Sequence, residues 1–320
     1  MRVRFWGTRG SLPVATGGQA IRQKIAQALR TADGRRFEND QQIEQFMDES
    51  LDFPTSHGYG GNSSCVQIET EGQYMLCDMG SGLREFGQQV LKEHGPKSPQ
   101  VYHFFMSHIH WDHILGFSFF PPVYLPGNTI NIYGGHSVED LQEAFERLQS
   151  NPCFPVQWQQ LGADIVFHCL EQGRWHQING CRLKVLGQAH HGDSFGYRFE
   201  KDDKVLVYST DAEHKQEDEQ ETQVVIDFFQ EADLVIFDAM YSLADMITVK
   251  EDWGHSSNIV GVDLCLQAKV KHYCMFHHEP AYDDLTLYTI LQETQRYANL
   301  VGEGCHLEVS TAYDSMIIHL

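Results

Sequence analysis

The stretch from Ser107 to His113 constrains this chain more strongly than any other. It holds three histidines and an aspartate within six consecutive residues: His108, His110, Asp112 and His113. Imidazole nitrogen suits zinc and other transition metals, whereas carboxylate oxygen also suits harder ions. The largely apolar residues 101–106 precede the stretch and predict a buried strand. We therefore expect a metal site where that strand ends.

The spacing within this stretch indicates two metal positions. His108 and His110 alternate, so they would point to the same side of a chain that stayed extended. The chain has to turn near Trp111 if Asp112 and His113 are to reach a second position. Two neighbouring metals fit this arrangement better than one. The alternative is a solvated histidine-rich loop, but such a loop would not need the ordered spacing.

The composition predicts a globular protein of the cytoplasm. The 320 residues are 42% hydrophobic, which is enough for a full core in one large domain or two small ones. The eight cysteines are scattered without a C-x-x-C pair, which favours reduced thiols in a cytosolic protein. The chain starts in an alternating strand pattern, and no apolar stretch approaches the length of a membrane span. We expect no membrane partner.

The charge is strongly acidic but uneven. A net charge of −21 makes the protein a poor general binder of nucleic acid, because that affinity rests on cationic contacts to phosphates. Residues 1–37, by contrast, contain eight basic residues and one acidic residue. Any attraction for a ligand that carries phosphate should concentrate in this segment.

A glycine-bracketed turn follows the first predicted strand, residues 2–6. Residues 7–11 read Gly-Thr-Arg-Gly-Ser, and the glycines let the backbone approach another group closely. Arg9 within this turn could contact a substrate phosphate. An ordinary hairpin or barrel-edge turn fits the spacing equally well.

Residues 17–56 have the pattern of a helical-hairpin insertion. Ile21, Ile25 and Leu29 recur at helical spacing, and residues 42–51 repeat the pattern after a break at Asp33-Gly34. The first helix is basic and the second is acidic. The two helices either neutralise each other or form an arm that acts as a lid or as a homodimer contact.

Polar residues of the metal-binding type recur at the ends of the later predicted strands. Strands and helices alternate without a repeat or linker, so we predict a single domain over residues 1–320. Strand ends on one rim of a sheet assembly converge in space, and the residues concerned are Asp78, His108 to His113, His190, Asp211, His255 and His277. Asp78 either orients a metal-bound histidine from behind or caps the helix that follows it.

Asp211 is the natural candidate for a carboxylate that bridges two metals. Two metals roughly 3.5–4 Å apart stabilise both the attacking and the leaving oxygen of a phosphoryl transfer. His214 lies close behind it in sequence and either reaches the substrate or caps a turn. Ser194, in the glycine-rich loop after His190, is a further candidate for substrate contact.

These motifs resemble those of the metallo-β-lactamase superfamily. The phosphodiesterase branch is most similar: ribonuclease Z, phosphoribosyl cyclic phosphate phosphodiesterase and cyclic-nucleotide phosphodiesterase-like proteins. Residues 5–11, 60–65 and 254–257 resemble this branch specifically. The resemblance covers nearly the whole chain outside 17–56, and the five family motifs match, in order, Asp78, His108-x-His110-x-Asp112-His113, His190, Asp211 and His277.

The resemblance implies an α+β fold, a four-layer αββα sandwich with the site at one edge. It also implies two divalent metals, with zinc favoured and manganese or iron as alternatives. The first metal would be bound by His108, His110 and His190. The second would be bound by Asp112, His113 and His277, and Asp211 would bridge the two. Asp78 would lie behind a metal-bound histidine and orient its ring without binding the metal itself.

The resemblance further implies a catalytic scheme. A hydroxide between the metals would attack phosphorus, and Asp112 would help to steer it. His255 would stabilise the phosphate or protonate the leaving oxygen. A shift of one residue in the alignment would exchange His190 with His191, or His277 with His278. The motif spacing favours His190 and His277.

The expected substrate is a small phosphodiester, such as a cyclic nucleotide or a cyclic phosphate. Ribonuclease Z carries a long glycine-rich arm that grips transfer RNA, and residues 134–200 contain no such insertion. Together with the acidic charge, this makes extended nucleic acid an unfavourable partner. The alternatives are cleavage of transfer RNA at its 3′ end, hydrolysis of a lactone or thioester, or a ligand-binding regulator with little catalysis.

Overall fold

Two seven-stranded sheets form the centre of the molecule. The structure is a computed structural model that describes residues 1–70, 72–214, 219–242, 254–302 and 304–320. The first sheet contains β1 (Arg2–Gly7), β2 (Cys65–Glu69), β3 (Tyr74–Cys77), β4 (Val101–Phe105), β5 (Thr129–Gly134), β6 (Asp164–Cys169) and β14 (Ile317–His319). The second contains β7 (Trp175–Ile178), β8 (Cys181–Gln188), β9 (Ser194–Lys201), β10 (Lys204–Ser209), β11 (Leu234–Asp238), β12 (His272–Phe276) and β13 (Glu308–Thr311).

Each sheet has a parallel half and an antiparallel half. The strand order is β14-β1-β2-β3-β4-β5-β6 in the first sheet and β13-β12-β11-β10-β9-β8-β7 in the second. Strands β3 to β6 are parallel, as are β10 to β13. The carboxyl ends of parallel strands lie on the same edge of a sheet, so loops after β3, β4, β10, β11 and β12 can build a shared site.

Nine helices occur in the described ranges. They are α1 (Gly18–Ala32), α2 (Asp40–Ser50), α3 (Phe53–Ser56), α4 (Leu83–His94), α5 (Trp111–Ile114), α6 (Val138–Leu148), α7 (Glu219–Phe229), α8 (Asn258–Gln267) and α9 (Asp284–Val301). None of them is both long enough and apolar enough to pass through a membrane.

The layers follow from where the apolar side chains lie. The inner core lies between the sheets and combines side chains of both, such as Phe5, Phe105, Leu183 and Phe276. A second core lies between the first sheet and α4 and α6. A third lies between the second sheet and α7, α8 and α9. The predicted αββα sandwich is therefore confirmed.

The burial of the strands matches their sequence. Strand β8 alternates, and its inward residues Cys181, Leu183 and Val185 are fully buried. Strands β11 and β12 are covered on both faces, and every residue in them is buried, which explains their continuous apolar runs. All eight cysteines are unpaired and five of them are buried, as core residues are.

Two predictions of local structure need correction. Ser194 does not lie within the glycine-rich loop after His190, because it is the first residue of β9 and pairs there with Gln188 at the end of β8. Asp78 does not cap the helix after it: α4 begins after Gly82, and the Asp78 carboxylate has other partners. The acidic residues 217–221, whose composition suits an exposed loop or the start of a helix, lie partly outside the described residues, and α7 begins at Glu219.

The insertion at 17–56 forms helices, but the pair is not a tightly packed hairpin. Helix α1 packs mainly against the short helix α3, and its contacts with α2 are sparse. The Lys24 ammonium of α1 forms an ion pair with Asp284, 2.5 Å away, at the start of α9. The basic helix is therefore tied to the domain rather than neutralised along its length by α2.

Candidate metal centre

The candidate site lies where four strands end. Asp78 follows β3, Ser107 to His113 follow β4, Asp211 follows β10, and His277 follows β12. Asp78, Asp211 and His277 adopt left-handed backbone conformations, with φ of 59°, 51° and 61°. Such conformations are uncommon for these residues and concentrate at functional sites. The backbone turns sharply at these positions, and the side chains meet at the rim.

The chain turns after His110, as the sequence predicts. His110 immediately precedes α5, and the short helix carries Asp112 and His113 inward, where both are buried. Two loops hold this turn: the Ser11 amide donates to Asp112 Oδ2 at 2.8 Å, and Ser63 Oγ donates to the Asp112 carbonyl at 2.7 Å. The glycine-bracketed turn at 7–11 therefore supports a candidate ligand through its backbone.

The two oxygens of Asp211 face two different sets of histidines. Oδ1 lies 3.7 Å from His108 Nε2 and 3.8 Å from His190 Nε2. Oδ2 lies 3.3 Å from His113 Nε2 and 3.2 Å from His277 Nε2. A carboxylate that bridged two ions would be placed in this way.

Asp112 joins the second set. Its Oδ2 lies 3.2 Å from His113 Nε2 and 3.3 Å from His277 Nε2. On the other side of Asp211, His190 Nε2 lies 3.4 Å from His110 Nδ1. The structure therefore brings together all seven predicted ligands, three on one side of Asp211 and three on the other. Their roles as ligands remain predictions.

The donor set fits divalent metal ions. Donor atoms of His108, His110 and His190 lie within 4.8 Å of one another, as do those of Asp112, His113 and His277. The Nε2 atom of His108 is buried and has no hydrogen-bond partner, which is costly unless another group satisfies it. Imidazoles with carboxylates suit zinc, manganese or iron.

Groups behind the histidines fix which ring nitrogen faces the centre. Asp78 accepts hydrogen bonds of 2.7 Å from His113 Nδ1, from Tyr208 Oη and from the Ser107 hydroxyl. His190 Nδ1 donates to the Gly254 carbonyl at 2.7 Å. Nε2 of His113 and of His190 is left to face Asp211. Carboxylates and carbonyls behind metal-bound histidines commonly orient the rings in this way.

Gly254 can approach His190 this closely because it has no side chain. A Cβ at this position would lie 2.5 Å from His190 Nδ1, and the backbone φ is +81°. Both features exclude a larger residue.

The electrostatics favour neutral imidazoles at the first set. Burial lowers the pKa of His108, His110 and His190, and it does so most strongly for His108. Neutral imidazole is the form that binds metal. Burial also opposes charge on His113, but the carboxylates of Asp112, Asp211 and Asp78 outweigh it and raise the pKa of His113. A cation bound among these carboxylates would replace that proton.

His255 forms a buried pair with Asp238, a residue that none of the sequence motifs indicated. Its Nδ1 donates to Asp238 Oδ2 at 2.7 Å and lies 3.9 Å from Asp211 Oδ1. Burial alone would lower the pKa of His255, but the charge and hydrogen bond of Asp238 raise it to about 9. Asp238 ends the buried strand β11, so a carboxylate at the end of an apolar run was the available signal.

The neighbouring histidines have other surroundings. His191 is exposed and belongs to none of the histidine–carboxylate groups among the described residues. His278 is buried and Nε2 donates to the Ala312 carbonyl at 2.8 Å, and burial lowers its pKa to about 3. The geometry therefore favours His190 and His277 as the ligands.

The three residues predicted to contact substrate lie in structural roles. The Arg9 guanidinium is buried and donates to the carbonyls of Gly60, Glu279 and Tyr282. A phosphate would have to displace these carbonyls, so Arg9 is better explained as a clamp between loops. Ser194 is also buried, and Oγ donates to the Thr210 carbonyl at 3.3 Å.

His214 lies next to the His255–Asp238 pair rather than among the ligands. Its ring stacks on Phe237 with centroids 5.9 Å apart, and burial lowers its pKa to about 4. A neutral, stacked imidazole offers little attraction for a phosphate. The sequence could not separate these three residues from substrate contacts, because their partners come from distant segments.

A separate groove of about 1000 Å³ lies on the outer face of the second sheet, between β8–β10 and α7. It contains none of the histidines of the centre. Two of its basic residues are engaged: Arg198 with Glu200, 2.8 Å away, and Lys271 with Asp233, 2.8 Å away. Volume alone therefore does not identify the site, whereas converging polar groups do.

Comparison with protein families identifies the superfamily. A family model described as a beta-lactamase superfamily domain matches residues 74–278, more than half of the chain. The chain belongs to the β-lactamase superfamily. The matched segment includes Asp78, the histidine-rich stretch and His277, so the superfamily assignment rests on the part of the chain that builds the centre.

Two curated relatives from this superfamily are named ribonuclease Z. The one from Acaryochloris marina is 27% identical over 154 residues, which cover 47% of this chain and 45% of that relative. The match therefore spans less than half of that relative. The one from Picosynechococcus sp. is 22% identical over 286 residues, which cover 72% of this chain and 84% of that relative.

A solved structure shares the fold of this chain. A diphosphatase from the PhnP family superposes with a TM-score of 0.60 at 18% identity, covering 100% of this chain and 97% of that chain. At this identity the similarity shows a shared fold.

Proposed function

We propose that this protein is a metal-dependent phosphodiesterase that hydrolyses small phosphodiesters with two divalent ions. The observation that carries the proposal is the placement of Asp211, whose two oxygens face separate sets of histidines. The comparison with a diphosphatase and with two ribonucleases Z supports chemistry at a phosphorus ester.

The residues of the candidate metal centre would have the following roles. One ion would be held by His108, His110 and His190, and the other by Asp112, His113 and His277, with Asp211 shared. Two such ions, when bound, supply Lewis acidity for a phosphoryl oxygen and lower the pKa of a water molecule. Zinc is the ion favoured by the number of imidazole nitrogens.

The remaining groups position protons. The Asp112 carboxylate, fixed by the Ser11 amide, would orient the attacking water. His255 is held by Asp238 through Nδ1, so the other ring nitrogen, Nε2, would be the one that acts on the substrate. His255 would stabilise the phosphate or protonate the leaving oxygen, as a general acid within hydrogen-bond reach of it.

Charge and chain length argue for a small substrate. With a net charge of −21 the surface repels an extended polyanion. Residues 134–200 contain α6 and β6–β9, and the longest connection between these elements is residues 149–163. A second candidate, cleavage of transfer RNA at its 3′ end, is favoured by the two relatives named ribonuclease Z.

Hydrolysis measured on protein of known metal content tests the proposal. Bis-p-nitrophenyl phosphate, cyclic AMP, cyclic GMP and a precursor transfer RNA would be compared under the same conditions. We expect two ions per chain and turnover of the small diesters. Preferred cleavage of the transfer RNA would establish the second candidate. Two ions with no turnover of any diester would favour lactone or thioester substrates, or a regulator.

A further inference from the structure

The metal centre opens on the side of His110. His108, His113 and Asp211 are buried, whereas the His110 side chain is exposed and His190 is partly buried. A Cβ at Gly192 would lie 3.1 Å from His110 Nε2, so the loop beside His110 approaches it without a side chain. Of the seven candidate ligands, only His110 is exposed, so it is the ligand that an approaching substrate would meet first.

Trp111 follows His110 directly and is 80% exposed. That is the largest exposed fraction of any large apolar side chain in the described part of the chain. Its indole also makes no ring–ring contact with the described aromatic residues, although such contacts are abundant elsewhere in the molecule. Tryptophan normally buries most of its surface, so core packing does not explain this residue.

The backbone under Trp111 is held firmly. The Leu115 amide donates to the Trp111 carbonyl at 2.8 Å, and the His113 amide donates to the His110 carbonyl at 3.0 Å. The next residue, Asp112, is fixed by Ser11 and Ser63. With the backbone fixed, a ligand that covers the indole has to order only the two side-chain torsions of Trp111.

A second exposed apolar residue, Leu12, directly follows the residue whose amide holds the Asp112 carboxylate. Leu12 is 63% exposed, and its neighbour Ser11 donates to Asp112 Oδ2 at 2.8 Å. Leu12 and Trp111 thus belong to the two backbone segments that meet at Asp112. A ligand suited to this edge combines a phosphate for the charged centre with an apolar, planar group for the indole.

We propose that the Trp111 indole stacks on the base of the substrate, so that the protein acts on nucleoside phosphodiesters rather than on diesters of sugars or glycerol. This inference rests on the proposed phosphodiesterase function. A nucleobase offers a planar π-face to an aromatic side chain irrespective of its identity. The prediction is therefore a preference for a base, with little discrimination between adenine and guanine.

The first test compares two substrates that differ only in the base. Cyclic AMP and the 3′,5′-cyclic phosphate of methyl ribofuranoside would be hydrolysed by wild-type holoenzyme and by W111A and W111F. We expect W111A to lower the ratio of the two kcat/KM values about tenfold or more, the size of a lost base stack, mainly through KM. W111F should recover most of this ratio.

L300A is the matched control, because Leu300 is 75% exposed on α9 and lies outside the centre. It should leave the ratio unchanged. An equal loss on both substrates in W111A would give Trp111 a structural role and overturn the proposal. No loss in W111A would overturn it as well.

A binding measurement separates this proposal from the proposed function. Fluorescence of the holoenzyme would be titrated with AMP and with ribose 5-phosphate, for wild type and W111F. We expect AMP to quench the fluorescence of the wild type and ribose 5-phosphate to leave it unchanged, and we expect no quenching by AMP in W111F. This result would support stacking of the base on Trp111 even if the wild type hydrolysed neither cyclic phosphate. Equal responses to the two ligands, or the same AMP response in W111F, would overturn the proposal.

Discussion

Asp211 is the residue at which the two halves of the centre meet. Its backbone is left-handed and its carboxylate is buried, with one oxygen toward His108 and the other toward His113. The neighbouring imidazoles lower the pKa of this carboxyl, although burial alone would raise it. An ionised, buried carboxylate needs cations close by, and two metal ions would supply them.

Adjacent histidines provide a sharp test of the ligand assignment. H190A should bind one ion per chain instead of two, because it removes one of three imidazoles on its side of Asp211. H191A should keep both ions, since His191 is exposed and outside the cluster. Metal content by mass spectrometry of purified protein checks both variants. Loss of an ion in H191A with retention in H190A would reverse the assignment.

His255 is expected to act on protons rather than to hold metal. H255A should keep both ions and lose about 100-fold or more in kcat for cyclic AMP, the usual size for a missing general acid. The loss should be smaller for bis-p-nitrophenyl phosphate, whose leaving group needs little protonation. An equal loss on both substrates would assign His255 to phosphate stabilisation instead.

Asp238 supports His255 and serves as the companion variant. D238N should lower the same kcat by roughly tenfold, because the ring keeps its position but loses the ionic partner of Nδ1. D238N with full activity would show that the imidazole needs no such support.

Asp314, which is not one of the candidate metal ligands, should make the stability of the protein depend on pH. Burial raises its pKa to about 6, although the amides of Asn62 and Gly61 oppose the shift. The folded state therefore binds more protons than the unfolded state, and its contribution to stability is lost as pH rises from about 4 to about 6. D314N should remove that loss and stabilise the protein at pH 8 by roughly 2 kcal/mol.

Urea unfolding of metal-free wild type and D314N at pH 4.5 and pH 8 measures this effect. The stabilisation should be larger at pH 8. D227N is the control, because Asp227 is exposed on α7, and it should change stability equally at both pH values. A D314N effect that did not grow with pH would contradict the buried-carboxyl explanation.

Helix α1 exposes its large apolar residues to solvent. Ile21, Ile25 and Leu29 are 47%, 54% and 69% exposed, whereas the smaller Ala20 and Ala28 and the stem of Lys24 face the domain. The sequence pattern correctly predicted an amphipathic helix, but the side that packs is not the one with the large residues. An exposed apolar helix face of this kind is typical of a surface that contacts another chain.

We propose that a second copy of the chain covers this face. Helix α1 carries Arg22, Lys24 and Arg30 without an acidic residue, and α2 carries four acidic residues without a basic one. A two-fold arrangement would place the basic helix of one copy beside the acidic helix of the other. I25E/L29E should shift the protein from dimer to monomer in light scattering. L300E on α9, the control, should leave the protein dimeric. A wild type that is monomeric in light scattering would contradict the proposal.

The three apolar cores of the molecule contain none of the candidate metal ligands. The centre lies at one rim, while the apolar side chains pack between and outside the sheets. Removing the ions should therefore leave the far-ultraviolet circular dichroism unchanged. It should lower the melting temperature by several degrees, because ions that bind only the folded state stabilise it by about 3–4 kcal/mol at saturating concentration.

Calorimetry before and after chelation measures this change. Zinc should restore the melting temperature, whereas magnesium should not, because nitrogen donors are poor ligands for magnesium. The H190A variant should show a smaller shift than the wild type. A chelated protein that lost its secondary structure would show that the ions are needed for folding itself.

The strands and the types of candidate ligand could be predicted from the sequence, because alternation, apolar runs and polar residues at their ends are local properties, whereas the αββα layers were implied by the resemblance to a known superfamily. The sequence also placed Asp78, His108 to His113, Asp211 and His277 at strand ends. The motif spacing already favoured His190 and His277 over their neighbours, and the geometry supports the same choice. The pairing of Asp238 with His255 and the contacts of Arg9 with three carbonyls became visible only in the tertiary structure. These outcomes depend on backbone turns at strand ends and on segments far apart in the chain, which no local pattern encodes. The outward face of α1 was decided in the same way, by the element that packs against it.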